Sequence, residues 1–351
     1  MNKLFATILA CALIFSLTAC GARGSVDTSG PADGDAAAST YTAENPLVIK
    51  CGNSDSEDMA TNIFLKEFKE YAESESEGRI SVQIYPNSQL GDDAEMLKGV
   101  QMGTIQVVLT TGATPSVAGD AAAMVNLPFV FDSYEDWRKA WNGEALDLYN
   151  QALEKTGSGF YCLCAGFSGG YSLLSREKCF ETLEDLKGFK VRVSPTNINL
   201  EFWNNLGAAP TPMSFGDVYT GLNQGTIDGM DHTAALFWAA KFAEVAKYVT
   251  ITNHSFGTSE CIVQKAWLDN LPEDLKEIVV TGLEQYAVRQ DELYMATDYE
   301  VALAEDFGCT VSYASDEMRA AMREACASIY EKQREITGAE IVDAYLALGQ
   351  K

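Results

Sequence analysis

Basic side chains are scarce in this chain: 25 lysines and arginines stand against 50 aspartates and glutamates, a formal charge of −25. With a pI near 4.4, the surface repels nucleic acid and anionic membrane faces, and both are excluded as partners. An anionic ligand is not excluded. Exposed carboxylates are screened beyond roughly 8–10 Å in physiological salt, so one desolvated arginine in a cleft outweighs them. Histidine is scarcer still, with two in 351 residues, His232 and His254. Hydrolysis needs a nucleophile with a base beside it, and the sequence marks no Ser or Cys partner for either. A binding function is therefore expected before an enzymatic one, with no cofactor.

Long apolar runs are absent beyond the first 17 residues. Lys3 is the only charge before Cys20, and residues 4–17 are too short an apolar run for a comfortable span, which needs about 20. This is the pattern of a secretory signal over residues 1–19. Leu17-Thr18-Ala19-Cys20 resembles a lipobox, which implies cleavage before Cys20 and acylation of its thiol and new amino group. Large apolar residues are then missing from residues 20–45, so that segment cannot offset its ordering entropy and is expected to be a flexible tether. Of nine cysteines, Cys11 and Cys20 precede the body, leaving Cys51, Cys162, Cys164, Cys179, Cys261, Cys309 and Cys326. An odd number cannot all pair within one chain, and about 305 residues need no staples. Several lie in strand-like apolar runs such as Tyr161-Cys162-Leu163-Cys164, where a free thiol behaves as a small hydrophobe.

What is present is an alternation of helix and strand patterns. Strands are expected at 47–51, 79–85 and 105–109, with amphipathic helices at 58–74, 92–102 and 134–156. Residues 160–165 and 170–174 read as strands crossing into a second lobe, and 248–253 with 261–264 as the return; a long helical pattern runs over 271–306. The rhythm implies an α/β fold with a parallel sheet, whose ligands bind beyond the carboxyl ends of the strands.

The stretch Lys190-Val191-Arg192-Val193 is the chemical centre of the chain. Gly188 breaks what precedes it and Ser194-Pro195-Thr196-Asn197 turns the chain toward a helix, so Arg192 sits on a short strand aimed into a cleft. A guanidinium on a rigid element offers a fork of donors that matches a carboxylate. Downstream lie Pro210-Thr211-Pro212-Met213-Ser214-Phe215-Gly216-Asp217-Val218-Tyr219 and Gly225-Thr226-Ile227-Asp228-Gly229-Met230-Asp231-His232. Upstream and beyond are Tyr85-Pro86-Asn87-Ser88-Gln89-Leu90-Gly91, Leu127-Pro128-Phe129, Lys241-Phe242-Ala243-Glu244-Val245-Ala246-Lys247-Tyr248 and Leu271-Pro272-Glu273-Asp274-Leu275. In this order and spacing the chain resembles the solute-binding proteins of tripartite ATP-independent periplasmic (TRAP) transporters over nearly all of its mature length.

The resemblance implies a two-lobed, hinged fold like that of periplasmic binding proteins, with a long helix spanning both lobes. Residues 46–168 and 257–297 would form lobe I, and 169–256 and 298–351 lobe II. It implies that Arg192 holds a ligand carboxylate, that Phe215 packs on the ligand, and that the protein delivers its solute to a membrane permease of a small and a large subunit. A binding protein of an ATP-driven importer or a chemoreceptor is the alternative with the same two-lobe logic. Where relatives carry Glu-Asn-Pro, this chain has Asp231-His232-Thr233. His232 can still donate a hydrogen bond, and its cationic form near pH 6.5 would add charge. A metal site of Asp228, Asp231 and His232 is not expected, because adjacent ligands on one turn rarely converge. Relatives often carry an arginine where Ser172 stands, and sialic-acid-binding relatives place an acid and a base near Thr111 and Thr114. Hydroxyls at all three positions favour a smaller monocarboxylate over a highly polar sugar acid, with Phe215, Trp238 or Phe256 gripping the remainder. Asn53, Asp93, Thr111 and Gly112 are first-lobe candidates because they follow strand ends or match family contact regions. Asp55 and Asp58 either face a cationic part of a zwitterion or simply begin a helix, where carboxylates favour the N-terminal dipole.

Overall fold

The computed structural model describes residues 41–350. The expected signal over 1–19, Cys20 and the tether as far as residue 40 lie outside the described residues. Residues 41–45, the end of the expected tether, already belong to the body: Thr42 and Asn45 close a turn on each other, and Tyr41 packs against a core.

Among the described residues nine strands form one sheet: β1 (Leu47–Gly52), β2 (Ile80–Tyr85), β3 (Val107–Thr111), β4 (Phe160–Ser175), β5 (Val191–Val193), β6 (Thr211–Pro212), β7 (Gly229–Thr233), β8 (Tyr248–Gln264) and β9 (Thr310–Tyr313). Their order is β2-β1-β3-β8-β4-β7-β5-β6, with β9 joined to β8. The two ends of the sheet are parallel, as the alternation of elements predicts. The middle is not: β3–β8, β4–β8 and β4–β7 are antiparallel. Each of the two expected strand pairs, 160–165 with 170–174 and 248–253 with 261–264, is one long strand. The glycines between them read as breaks, yet they let the strands pass under other groups. A side-chain carbon on Gly166 would stand 2.5 Å from Gln290, and one on Gly169 2.2 Å from the Tyr294 hydroxyl. Register shifts at 162–165, 167–169 and 170–172 bend the pair. One of them explains why Cys162 and Cys164, two apart and on one face in a regular strand, lie in different cores.

Alternation along the strands sorts three cores. One face carries a continuous core containing Val108, Phe167, Val191, Val193 and Trp203. The other face is divided. At one end Ile49, Leu109 and Val263 pack under helices Ala60–Glu75 and Glu273–Met295, which present Phe64, Phe68, Leu275, Val279 and Leu283 at helical spacing. At the other end Met230, Val249 and Ile251 pack under Phe237, Phe242 and Leu303. The gap between these two covers is the cleft.

The helix expected over 134–156 is two, Tyr134–Trp141 and Glu144–Thr156, divided at Asn142-Gly143. The helical pattern over 271–306 also divides. Glu273–Met295 covers the first end, and Asp298 then caps a second helix, Tyr299–Phe307, by accepting from the Val301 N–H, which carries Leu303 into the other cover. The last three helices, Asp316–Glu324, Ala327–Thr337 and Ala339–Leu348, supply Met322, Ile329, Val342 and Tyr345 to the continuous core beside Phe131, Trp137 and Tyr149.

Candidate functional site

In Val191-Arg192-Val193 the valines point into the continuous core, so the arginine between them points to the opposite face, at the gap. Arg192 pairs with Met230 of β7 and Thr211 of β6. Its side chain is 3% exposed. Nε and Nη2 both donate to the Met213 carbonyl, at 3.0 and 2.8 Å, which fixes the guanidinium plane. Nη1 is buried without a hydrogen-bond partner among the described residues. Burial pushes the guanidinium down to about 10, against the opposing pull of Tyr171, Asp93 and Asp231. A buried cation held in this way, with a spare donor, is incomplete without an anion.

His232 lies two residues beyond Met230 on β7 and faces the same way. Its Nδ1 accepts from the Thr233 N–H at 2.9 Å, so the ring proton sits on Nε2. The imidazole stacks on Tyr171 with centroids 5.0 Å apart. Burial, and then Arg192, push it down to about 3. The expectation of a cationic form near pH 6.5 is therefore corrected: His232 is a neutral donor.

The cleft around these two residues holds about 710 Å³, part of it open to solvent, and its walls include Asp55, Asp93, Thr111, Arg192, Phe215 and His232. Asp93 accepts from Ser54, at 3.0 and 3.2 Å, and from Thr110 at 3.1 Å, while burial raises its carboxyl above the ordinary range. Phe215 shows an edge to Phe242 at 5.4 Å and keeps part of its ring toward the cleft. Five expected residues thus converge here: Arg192, His232, Phe215, Thr111 and Asp93. Trp238 lines an adjoining chamber that shares His232 and Thr111.

The other candidates lie elsewhere. Asn53 is fully buried in a reciprocal amide pair with Asn62. Gly112 forms the turn after β3 at φ +65, where a side-chain carbon would stand 2.6 Å from Asn126; its carbonyl accepts from that amide. Ser172 is 1% exposed, paired with His232 across the ladder, and lines no cavity with Arg192. Phe256 packs on Phe167 at 5.9 Å, in the continuous core, and faces a small cavity with Tyr171, Phe202 and His254. Thr114 donates to the buried Glu260, which also accepts from Tyr149 at 2.8 Å and is pushed up to about 7, chiefly by burial.

Strand geometry separates Asp231 from His232. Asp231 faces the continuous core, where it accepts from Trp203 Nε1 at 2.8 Å and lies 3.5 Å from His254 Nε2. Asp228 caps the start of β5 by accepting from the Lys190 N–H at 3.0 Å. The three residues do not converge on a metal. No Gly-x-Ser-x-Gly elbow is expected from the sequence, yet the stretch Gly166-Phe167-Ser168-Gly169-Gly170 has that spacing. It lies inside β4 and not at a strand-to-helix turn, and Ser168 Oγ has no hydrogen-bond partner, so the context such a nucleophile needs is missing. Sequence reasoning also missed Gln290, Tyr294 and Ser259 of the adjoining chamber, which only tertiary packing brings to the cleft.

A two-lobed α/β body whose sheet face opens into a cleft around one uncompensated arginine is built to enclose a small solute. The chain belongs to the bacterial extracellular solute-binding protein family 7, whose model matches residues 52–336. It is similar, at 30% identity over 316 residues, to the C4-dicarboxylate-binding periplasmic protein of Rhodobacter capsulatus, covering 86% of this chain and 91% of that one. At 27% over 245 residues it is similar to the 2,3-diketo-L-gulonate-binding periplasmic protein of Escherichia coli K12, covering 70% and 74%. A TRAP periplasmic solute-binding protein from Anaerococcus prevotii, solved with D-glucuronate, matches with a TM-score of 0.80 at 25% identity, over 87% of this chain and 98% of that one. Another from Polaromonas, solved with D-erythronate, matches at 0.77 and 26%, over 86% and 98%. No helix among the described residues is long and apolar enough to cross a membrane.

Proposed function

We propose that this protein captures a small organic acid in the cleft, with the carboxylate on Arg192, and delivers it without chemical change to a TRAP-type permease of one small and one large membrane subunit. The observation that carries the reading is the buried Arg192 Nη1, a charged donor with nothing to donate to. A carboxylate supplies the missing acceptor and the missing charge, and His232 Nε2 donates to the same group in this reading. The acids bound by relatives, a C4-dicarboxylate and several sugar acids, share that one feature. Lobe I is taken as 46–168 with 257–297, and lobe II as 169–256 with 298–351, the two closing about the β4–β8 crossing. The protein works outside the cytoplasm, held to the membrane by acyl chains on Cys20; two or three such chains give firm attachment, at about 0.8 kcal/mol per buried methylene.

Titration calorimetry with a panel of small acids, run on the wild type and on Arg192→Ala, tests the binding claim. Charge-assisted bonds contribute roughly 1.5–3 kcal/mol each. Loss of the arginine should weaken any acid that binds by about 100-fold or more, with the circular dichroism spectrum unchanged. An acid bound equally well by both proteins removes Arg192 from the site.

A further inference from the structure

Beside the Arg192 cleft opens a second chamber of about 1030 Å³, part of it open to solvent, which shares Asp55, Thr111, His232, Leu236 and Ser259 with it. Trp238, Tyr294 and Tyr299 wall this chamber with their rings in contact, centroids 5.9 and 5.2 Å apart. The Trp238 indole N–H is engaged outward on Asp306 at 2.7 Å, which leaves the ring itself as wall. No lysine or arginine among the described residues lines the chamber.

Among the described residues its unsatisfied polar atoms are two acceptors, on Gln290 and Asp55, and one hydroxyl, on Ser168, which can donate or accept. Gln290 is 6% exposed, and its Oε1 is buried with no partner; Ser168 Oγ is likewise unpartnered. Asp55 accepts from Thr61 on Oδ2 at 2.6 Å, and its Oδ1 takes no hydrogen bond from any described residue. The basic side chain nearest to hand, His232, is neutral. A purely anionic or apolar solute extending into this space would leave those acceptors unpaired, and a buried acceptor without a donor is costly. A hydroxyl brings one donor and no charge. An ammonium brings up to three donors and the charge that Asp55 lacks, and the faces of aromatic rings attract cations.

We propose that the second chamber takes a cationic amino group of the same solute whose carboxylate Arg192 holds, with Asp55, the Gln290 amide oxygen and the Trp238–Tyr294–Tyr299 wall as its receptor, so that the solute is an amino-bearing acid. This rests on the carboxylate reading of the Arg192 cleft. Burial raises the Asp55 carboxyl to about 6, the behaviour of an acid that has no counter-charge until one arrives.

The test is calorimetry on the full-length protein with paired acids of three to six carbons: α-, β-, γ- and ω-amino acids, each against the same acid without its amino group. At least one amino acid should bind about tenfold or more tightly than its amine-free partner. Asp55→Asn should cut that advantage to about threefold or less without weakening the amine-free acid, while Arg192→Ala weakens both. Should Asp55→Asn fail to fold, Gln290→Leu must give the same selective loss. Amine-free acids that bind as tightly as their partners, with Arg192 still required, overturn the proposal and leave the carboxylate reading standing. Equal loss of both kinds of acid in Asp55→Asn also overturns it. If no acid of either kind binds in an Arg192-dependent way, both readings fall.

Discussion

Arg192 carries its charge where nothing within the described residues neutralises it at close range. Two bonds to one carbonyl orient it and leave Nη1 free, so the site is set before any ligand arrives, which reduces the ordering cost of binding. Its place on a strand could be read from the two flanking valines, because alternation forces the middle residue to the other face. His232 was legible as a position and not as a charge, since its neutrality comes from burial and from an arginine distant in sequence. Asp55 could be read two ways until the Thr61 bond and the second chamber gave it a direction. Gln290 carries no local mark at all; it reaches the site only because a helix from residue 273 onward lies across β4. Burial raises both carboxyls of the cleft, Asp93 and Asp55, the latter to about 6, while His232 is pushed down to about 3. An amine-free acid placed beside Asp55 favours its protonated form, so affinity for such an acid should rise as pH falls through about 6; for an amino-bearing acid the sign reverses. Calorimetry between pH 5 and 8 should find either slope intact in His232→Asn, whose amide still donates, and absent in Asp55→Asn. A slope centred near 6.5 that disappears with the histidine would contradict the neutral imidazole.

Among the elements, strands β1, β2, β3 and β5 and the helices expected at 58–74 and 92–102 follow from local spacing, and the structure places them within a few residues of expectation. The long strands β4 and β8 did not follow, because glycine in a strand reads as an ending when nothing shows what passes over it. The divided helices have the same cause in reverse: apolar spacing continues across Asn142-Gly143 and across 296–298, where local capping chemistry interrupts it. The turn at Asp228-Gly229 is a further case. Asp228 holds the Lys190 N–H and Gly229 pairs with Val191, so this turn sets the height of the strand that carries Arg192. A side-chain carbon on Gly229 would meet the Leu174 carbonyl oxygen at 2.1 Å, a backbone atom that cannot step aside. Gly229→Ala should therefore destabilise the fold by about 1–3 kcal/mol and weaken acid binding, although residue 229 touches no ligand. Chemical denaturation beside calorimetry checks both; an alanine variant with wild-type stability would mean that β4 and β7 can part without cost.

For the whole molecule, exposed polar bonds join segments of the two proposed lobes. Ser214 donates to Asp92 at 3.2 Å, and the Asn197 amide donates to both oxygens of Asp120 at 2.9 and 2.8 Å. Closure of such a body is favoured by a ligand only through contacts that differ between open and closed states. Removing these clasps, as in the double variant Asn197→Ala and Ser214→Ala, should lower affinity by roughly three- to tenfold with no loss of any group that touches the solute, since exposed hydrogen bonds contribute about 1 kcal/mol or less. Small-angle scattering should show the unliganded double variant more expanded than the wild type. Equal affinity and equal dimensions would mean that closure does not depend on them.

The central claim is that Arg192 holds the carboxylate of a captured solute. Mass spectrometry of the small molecules released on denaturing the purified protein, with Arg192→Ala prepared in parallel, tests it most directly. The account predicts a carboxylic acid, bearing an amino group, released by the wild type and absent from the variant. A neutral molecule, or a cation without a carboxylate, released equally by both proteins would contradict it.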